Sequence, residues 1–198
     1  MAGAAVVLGV MRSAARLKWR LNLIGVIPLA ENMPGGAAQR PGDIIRMADG
    51  TTVEVISTDA EGRLILADAL YHCQLFKPEQ ILDIATLTGA CKIALGRYAI
   101  ALMGNDESLL SKVSQAGALS GERCWILPLW DEYMELLKSD IADIKNGNWK
   151  REAGTILAGI FLKKFVKDVP WAHLDIASVD WADEPHPYLG KGPTGKGM

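Results

Sequence analysis

A short polar motif stands between a strand-like and a helix-like segment of the chain: Ser57-Thr58-Asp59-Ala60-Glu61-Gly62-Arg63-Leu64. In an extended backbone alternate side chains point to the same side, so Asp59, Glu61 and Arg63 would share one face. Carboxylates are the ligands that hard divalent cations prefer, and an arginine beside them can hold an anion or a developing negative charge. The motif is therefore a candidate metal and anion site.

The same residues also fit the N-terminus of a helix. Thr58 and Glu61 have the spacing of a capping box, in which each side chain bonds the backbone at the other residue. Gly62 weakens this alternative, because glycine in a first turn disfavours the helix that should begin there. The local pattern leaves both interpretations open.

Segments with helical and strand-like patterns alternate along the chain and predict the fold class. Apolar runs predict strands at 81–85, 98–103 and 171–177, and a strand buried on both faces at 21–29. Asp49-Gly50 predicts a hairpin between 44–48 and 51–56. Helices are expected at 4–17, 63–76, 107–118, 131–138 and 152–166. The alternation predicts an α/β fold, with a mixed but mainly parallel sheet and helices on both faces, an α/β/α sandwich.

Three polar segments follow predicted strands of this sheet. They are the motif at 57–64, the turn Thr86-Leu87-Thr88-Gly89-Ala90 and the residues after Ile176. Ligands of open α/β sheets bind beyond the carboxyl ends of the strands. We therefore expect the three segments to meet at one edge.

Charge and cysteine content exclude several classes of protein. The net charge is −2 and no basic stripe is present, so nucleic acid is not an expected partner. The apolar N-terminal residues 1–10 are too short to span a membrane and lack the charge order of a signal peptide. Cys73, Cys91 and Cys124 lie far apart, which predicts neither a disulfide framework nor a zinc-thiolate site and favours a cytoplasmic location.

Five blocks in order along the chain resemble the leucyl aminopeptidase (cytosol aminopeptidase) family. The first is Thr58-Asp59-Ala60-Glu61-Gly62-Arg63-Leu64. In the family an Asn comes directly before this block, where this chain has Ser57. The other blocks are at 31–43, 83–90, 171–177 and 187–195. The resemblance extends over essentially the whole chain.

The resemblance implies a peptidase that removes N-terminal residues, leucine among others, with two divalent metal ions, Mn²⁺ or Zn²⁺. It implies that Asp59 and Glu61 are metal ligands and that Arg63 is the catalytic arginine, next to a bound bicarbonate. It also assigns substrate contacts to Thr86, Leu87, Gly89 and Ala177. Peptides would be the partners, and the family assembles as homohexamers.

Residues 1–198 are expected to be one partial C-terminal catalytic domain. By resemblance, the family's remaining ligands, its catalytic lysine and its N-terminal domain belong upstream of the segment seen here. Two alternatives to an active peptidase stay open: a catalytically inactive fragment or subunit that retains the fold and acts at most as a binding module, and an unrelated α/β binding protein whose Thr58–Glu61 segment is only a helix cap.

His173 lies within the apolar strand predicted at 171–177. A histidine in such a strand is more often a hydrogen-bonded core residue than a ligand. His72 and His186 have no partner at a metal-binding spacing and are expected to face solvent.

Overall fold

A computed structural model describes residues 1–150 and 152–198. Helices and strands alternate along most of this length. The helices are α1 (Ala2–Leu17), α2 (Gly62–Gln74), α3 (Gly89–Leu95), α4 (Glu107–Ser120) and α5 (Gly154–Lys163). The strands are β1 (Ile44–Arg46), β2 (Thr52–Glu54), β3 (Ile81–Ala85), β4 (Ile100–Gly104), β5 (Cys124–Ile126), β6 (Ile144–Lys145), β7 (Trp171–Asp175), β8 (Trp181–Ala182) and β9 (Gly192–Pro193).

The main sheet has four strands in the order β3-β7-β4-β5. β7 is parallel to β3 and antiparallel to β4, and β4 is parallel to β5. The hairpin of β1 and β2 belongs to a separate small sheet, in which β6 pairs in parallel with β2. The predicted mixed, mainly parallel sheet is confirmed.

Helices cover both faces of the main sheet, because successive side chains of each strand point to opposite sides. Trp171 of β7 packs in one core with Leu64 of α2 and Phe161 of α5. Its neighbour Ala172 packs in the other core, with Val6 of α1 and residues of α4. The α/β/α arrangement is confirmed, and β7 lies at its centre.

The expected buried strand at 21–29 is wrong. Residues 19–35 are irregular, and Ile24 is 59% exposed. Lys18 ends α1 in a left-handed conformation, and the Trp19 N–H bonds back to the Ala14 carbonyl. Pro28 has no N–H for a sheet ladder, which disfavours a central strand. The apolar run therefore lies on the surface instead of entering the sheet.

Several other boundaries differ from the predicted ones. α3 was not predicted, and Thr88 caps it by accepting the Cys91 N–H. The segment Asp131–Leu137 is a 3₁₀ helix instead of an α-helix. α5 begins two residues later than the predicted 152–166, since Ala153 before it is left-handed, with φ 50°, and it ends at Lys163. The hairpin is confirmed, with Gly50 at φ 93° in its turn.

A membrane span would require a long apolar helix. None of the helices found in residues 1–150 and 152–198 is both long and apolar enough to cross a bilayer.

Candidate active site

The motif turns sharply instead of running extended. Ser57 is extended, Thr58–Ala60 form one 3₁₀ turn, and Glu61 is already right-handed at the start of α2. The expected extended face of alternating side chains is therefore wrong. The capping box of Thr58 and Glu61 is wrong too, since Thr58 lies inside the 3₁₀ turn and the residue that precedes α2 is Glu61, which makes no side-chain cap bond within the described chain.

Asn146, which follows β6, holds this turn in place. Its Oδ1 accepts the Ile56 N–H at 2.8 Å and the Ser57 N–H at 3.2 Å. Its Nδ2 donates to the Ser57 carbonyl at 2.7 Å and reaches the Ala60 carbonyl at 3.5 Å. The side chain is fully buried. One amide thus satisfies backbone groups on both sides of the turn that carries Asp59.

Arg63, in the first turn of α2, is half-buried, and its Nε is shielded from solvent. Burial lowers the pKa of Arg63 to about 10, against the opposing charges of Asp175 and Glu61. Within the described residues Nε has no hydrogen-bond partner. A buried guanidinium donor without an acceptor is unfavourable, so this atom is suited to an anionic or carbonyl ligand.

Asp175, the last residue of β7, organises the turn after β3. Its Oδ1 accepts the N–H groups of Leu87 and Ala177, each at 3.1 Å. Its Oδ2 accepts the Thr88 hydroxyl at 2.7 Å. Because that hydroxyl has one proton, Thr155 donates to Thr88 Oγ1 across the 2.9 Å contact between them.

The motif and the turn after β3 lie at the same edge. A Cβ added to Gly62 would lie 3.6 Å from Leu87 Cδ1. Arg63 and the Leu87 turn also share Asp175 as a neighbour, the first through its charge and the second through a hydrogen bond. The expected meeting of the 57–64 motif, the 86–90 turn and the residues after Ile176 is confirmed.

The other predicted site residues are less closely tied together. Asp59 is exposed and Glu61 half-buried, while Thr86 is half-buried in the turn. Gly89 begins α3 at an exposed position, and an added Cβ there would meet nothing within 4 Å. The space beside Gly89 is therefore open.

The donor set for a metal is incomplete among the described residues. No group of three or more His, Cys, Asp or Glu side chains that could hold a metal ion occurs in residues 1–150 and 152–198. Asp59 and Glu61 offer the oxygen atoms that hard cations prefer, but two carboxylates leave most coordination positions open. The residues present fit a part of a metal site.

His173 is a core residue, as expected. It is fully buried, and its Nδ1 lies 2.5 Å from Oδ1 of Asp83, whose Oδ2 accepts the Trp171 indole N–H at 2.5 Å. Burial lowers the pKa of His173, but the Asp83 carboxylate outweighs it and leaves the pKa raised. The other two histidines, His72 and His186, were predicted to face solvent and are exposed.

Sequence reasoning missed Asn146 and Asp175. Asn146 lies in a polar stretch with no motif around it, and only the parallel pairing of β6 with β2 brings it to the turn. The sequence does contain an indication of the role of Asp175, since an acidic residue ends the most buried strand of the sheet. A carboxylate in such a position needs donors, and the neighbouring turn supplies them.

Comparison with known proteins identifies the family. The chain matches the cytosol aminopeptidase family, catalytic domain, over residues 1–198. The chain belongs to this family. Probable cytosol aminopeptidases similar to it come from Geotalea uraniireducens (strain Rf4), 57% identical, and Geobacter sulfurreducens (strain ATCC 51573 / DSM 12127 / PCA), 53% identical. A third, from Roseiflexus castenholzii (strain DSM 13941 / HLO8), is 51% identical. The alignments cover 100% of this chain but only 40%, 40% and 41% of those aminopeptidases.

Proposed function

We propose that this cytosol aminopeptidase chain forms part of the active site of a metal-dependent enzyme that releases N-terminal residues, leucine among them, from peptides. The observation that carries the proposal is the convergence of Glu61, Arg63 and the Leu87 turn at one edge of the sheet, in a chain matched over its whole length to a peptidase family. The longer protein to which such a chain corresponds would be the active species.

Two divalent ions, Mn²⁺ or Zn²⁺, are the proposed cofactors. Asp59 and Glu61 would hold them, with Glu61 shared between both, and further ligands would come from parts of the protein outside these residues. When bound, such ions lower the pKa of a water molecule and polarise a carbonyl group. The partly buried position of Glu61 beside Arg63 supports its assignment as a ligand.

Arg63 is the proposed catalytic residue. Its buried Nε, unpartnered within the described residues, is available to hold a bicarbonate ion or to stabilise negative charge on the carbonyl oxygen of the substrate. Because burial weakens competition from water, a hydrogen bond from this guanidinium would be stronger than one at the surface.

The substrate would lie along the turn after β3. Thr86 and the backbone of Leu87 are proposed to contact the peptide, and Gly89 and Ala177 to line the pocket for its N-terminal side chain. The open space around Gly89 is compatible with a ligand there. We further propose a cytoplasmic homohexamer with peptides as its partners.

A second candidate function is a catalytically inactive fragment or subunit that binds without hydrolysis. The incomplete donor set among the described residues favours it for these 198 residues in isolation. It does not apply to a longer protein that supplies the missing ligands.

The experiment is hydrolysis of leucine nitroanilide by the longest natural protein that contains this chain, with Mn²⁺ or Zn²⁺ added. Turnover that a chelator abolishes and metal restores is expected. Absence of turnover on leucine and on other aminoacyl nitroanilides would contradict the proposed function. The isolated chain, assayed in parallel, is expected to show little or no turnover.

A further inference from the structure

Asp175 links two segments that are far apart in sequence. Its Oδ1 alone accepts both the Leu87 N–H and the Ala177 N–H, each at 3.1 Å. Its Oδ2 accepts the Thr88 hydroxyl, so all three contacts come from residues next to the proposed pocket. The carboxylate is fully buried and therefore does not itself reach a ligand in solution.

We propose that Asp175 is a positioning residue for substrate selectivity: by holding the Leu87 and Ala177 backbones to one oxygen, it fixes the distance between the turn that contacts the peptide and the Ala177 wall of the side-chain pocket. This inference rests on the proposed function, because the pocket is the one assigned there to the N-terminal side chain of the peptide. The residue acts through its neighbours and contacts no substrate.

Removal of the Asp175 side-chain oxygens would release both segments at once. Without the carboxylate, two buried or half-buried N–H donors and one hydroxyl lose their acceptor together. Unpaired buried donors are unfavourable, so the turn and the segment after β7 would move towards other acceptors. A movement of either segment changes the distance between Leu87 and Ala177, and with it the fit of a substrate side chain.

The Thr88 contact allows one substitution that separates hydrogen bonding from charge. In Asp175→Asn the amide oxygen can still accept both N–H groups. The amide N–H can donate to Thr88, whose own proton then turns towards Thr155 in the 2.9 Å pair. This variant removes the charge near Arg63 and preserves the ties between the two segments.

Asp83 offers a matched control. It lies on the neighbouring strand β3, is almost fully buried and also bonds two partners, the Trp171 indole and His173. Neither partner belongs to the proposed pocket. Asp83→Asn therefore disturbs a buried carboxylate of the same sheet without loosening Leu87 or Ala177.

The test measures kcat/KM for leucine nitroanilide and for alanine nitroanilide in the longest natural protein that contains this chain. The ratio of the two values does not depend on the fraction of folded enzyme. Asp175→Ala is expected to lower this ratio about tenfold, since a pocket that has lost its fit loses discrimination between apolar side chains of different size. Asp175→Asn should stay close to the wild-type ratio, and Asp83→Asn should not change it.

An unchanged ratio in Asp175→Ala, or an equal loss in Asp175→Asn, would overturn the positioning role. If Asp175→Ala does not fold, Asp175→Glu replaces it. Its acceptor is displaced by one C–C bond length, ~1.5 Å, and an unchanged ratio there would likewise overturn the role.

Hydrogen exchange separates this inference from the proposed function. If the wild-type protein hydrolyses neither reporter, the proposed function fails, and exchange at the Leu87 and Ala177 amides then decides the positioning role. Faster exchange at both amides in Asp175→Ala, without faster exchange in Asp83→Asn, supports the role of Asp175 in holding the two segments together. If Asp175→Ala does not fold, Asp175→Glu takes its place in this comparison. Unchanged protection at both amides contradicts it.

Discussion

The Asn146 side chain binds both backbone polar groups of Ser57: Oδ1 accepts the Ser57 N–H at 3.2 Å, and Nδ2 donates to the Ser57 carbonyl at 2.7 Å. Ser57 begins the turn that carries Asp59 and Glu61. The position of these carboxylates therefore depends on an amide from the small sheet, far along the chain.

Asn146→Ala is expected to destabilise the protein by about 1–3 kcal/mol, because it leaves buried backbone groups without partners. It should also lower aminopeptidase activity, because the turn that carries Asp59 loses its support. Urea unfolding and leucine nitroanilide turnover measure the two effects. Asn105→Ala is the control: Asn105 bonds the Trp171 N–H and the Val169 carbonyl at the other end of β7. Loss of stability in both variants with full activity in Asn146→Ala would contradict the role.

Ile24→Asp is expected to change the stability of this chain by less than about 0.5 kcal/mol, since Ile24 is 59% exposed. Ile100→Asp, in the centre of the main sheet where the side chain is 1% exposed, should prevent cooperative folding by burying an unpaired charge. Thermal unfolding of both variants checks the pair. Similar behaviour of the two would contradict the surface position of the 19–35 segment.

Ile24 and Ile100 illustrate which features of the fold the sequence can predict and which it cannot. Strands β3 and β7 were predicted nearly residue for residue, since both are short apolar runs bounded by turn residues. The run at 21–29 has the same apolar character, and its position depends on how the chain turns back at Lys18, a tertiary feature. Composition alone does not distinguish an apolar segment in the sheet from one on its surface.

The candidate site also contains residues that the sequence indicates and residues that it does not. Asp59, Glu61 and Arg63 could be proposed from the sequence because they form one contiguous motif. Asn146 acts from a distant segment and bonds only backbone groups of the turn, which carry no sequence signal. Asp175 also acts from a distant segment, and two of its three donors, the Leu87 and Ala177 N–H groups, belong to the backbone. The local conformation of the motif was also missed, because an extended strand and a capped helix both fit its spacing, while the turn is shaped by Asn146.

Protonated His173 is expected to stabilise the fold. Its pKa is raised in the folded state, against burial, by Asp83 and to a smaller extent by Asp175, while Arg63 opposes this. A raised folded pKa gives a contribution that is complete below the unfolded value near 6.5 and is lost as pH rises through the folded value. The free energy of unfolding should thus fall as pH rises from the unfolded value near 6.5 through the folded pKa of His173. Asp83→Asn should flatten this dependence, and an equal slope in both proteins would contradict it.

Arg63→Lys is expected to lower kcat by about 10²-fold or more while binding of Mn²⁺ stays largely intact, because the arginine acts on developing charge and not on the ions. Lysine keeps the charge but lacks the planar set of donors, including the buried Nε. Steady-state kinetics and metal titration of the longest natural protein measure the two properties. Loss of metal binding with the loss of rate would assign Arg63 to the metal site itself.

The most direct test of the proposed active site measures leucine nitroanilide turnover and the amount of bound metal. The two quantities are compared between the longest natural protein that contains this chain and its Glu61→Ala variant, with Glu79→Ala as control. Glu79 is an exposed carboxylate before β3, at the opposite edge of the sheet. Loss of turnover together with loss of bound metal is expected for Glu61→Ala, because it removes the proposed shared ligand, and Glu79→Ala should behave as wild type. Chelator-sensitive turnover at the wild-type rate in Glu61→Ala would contradict the assignment of this edge of the sheet as the active site.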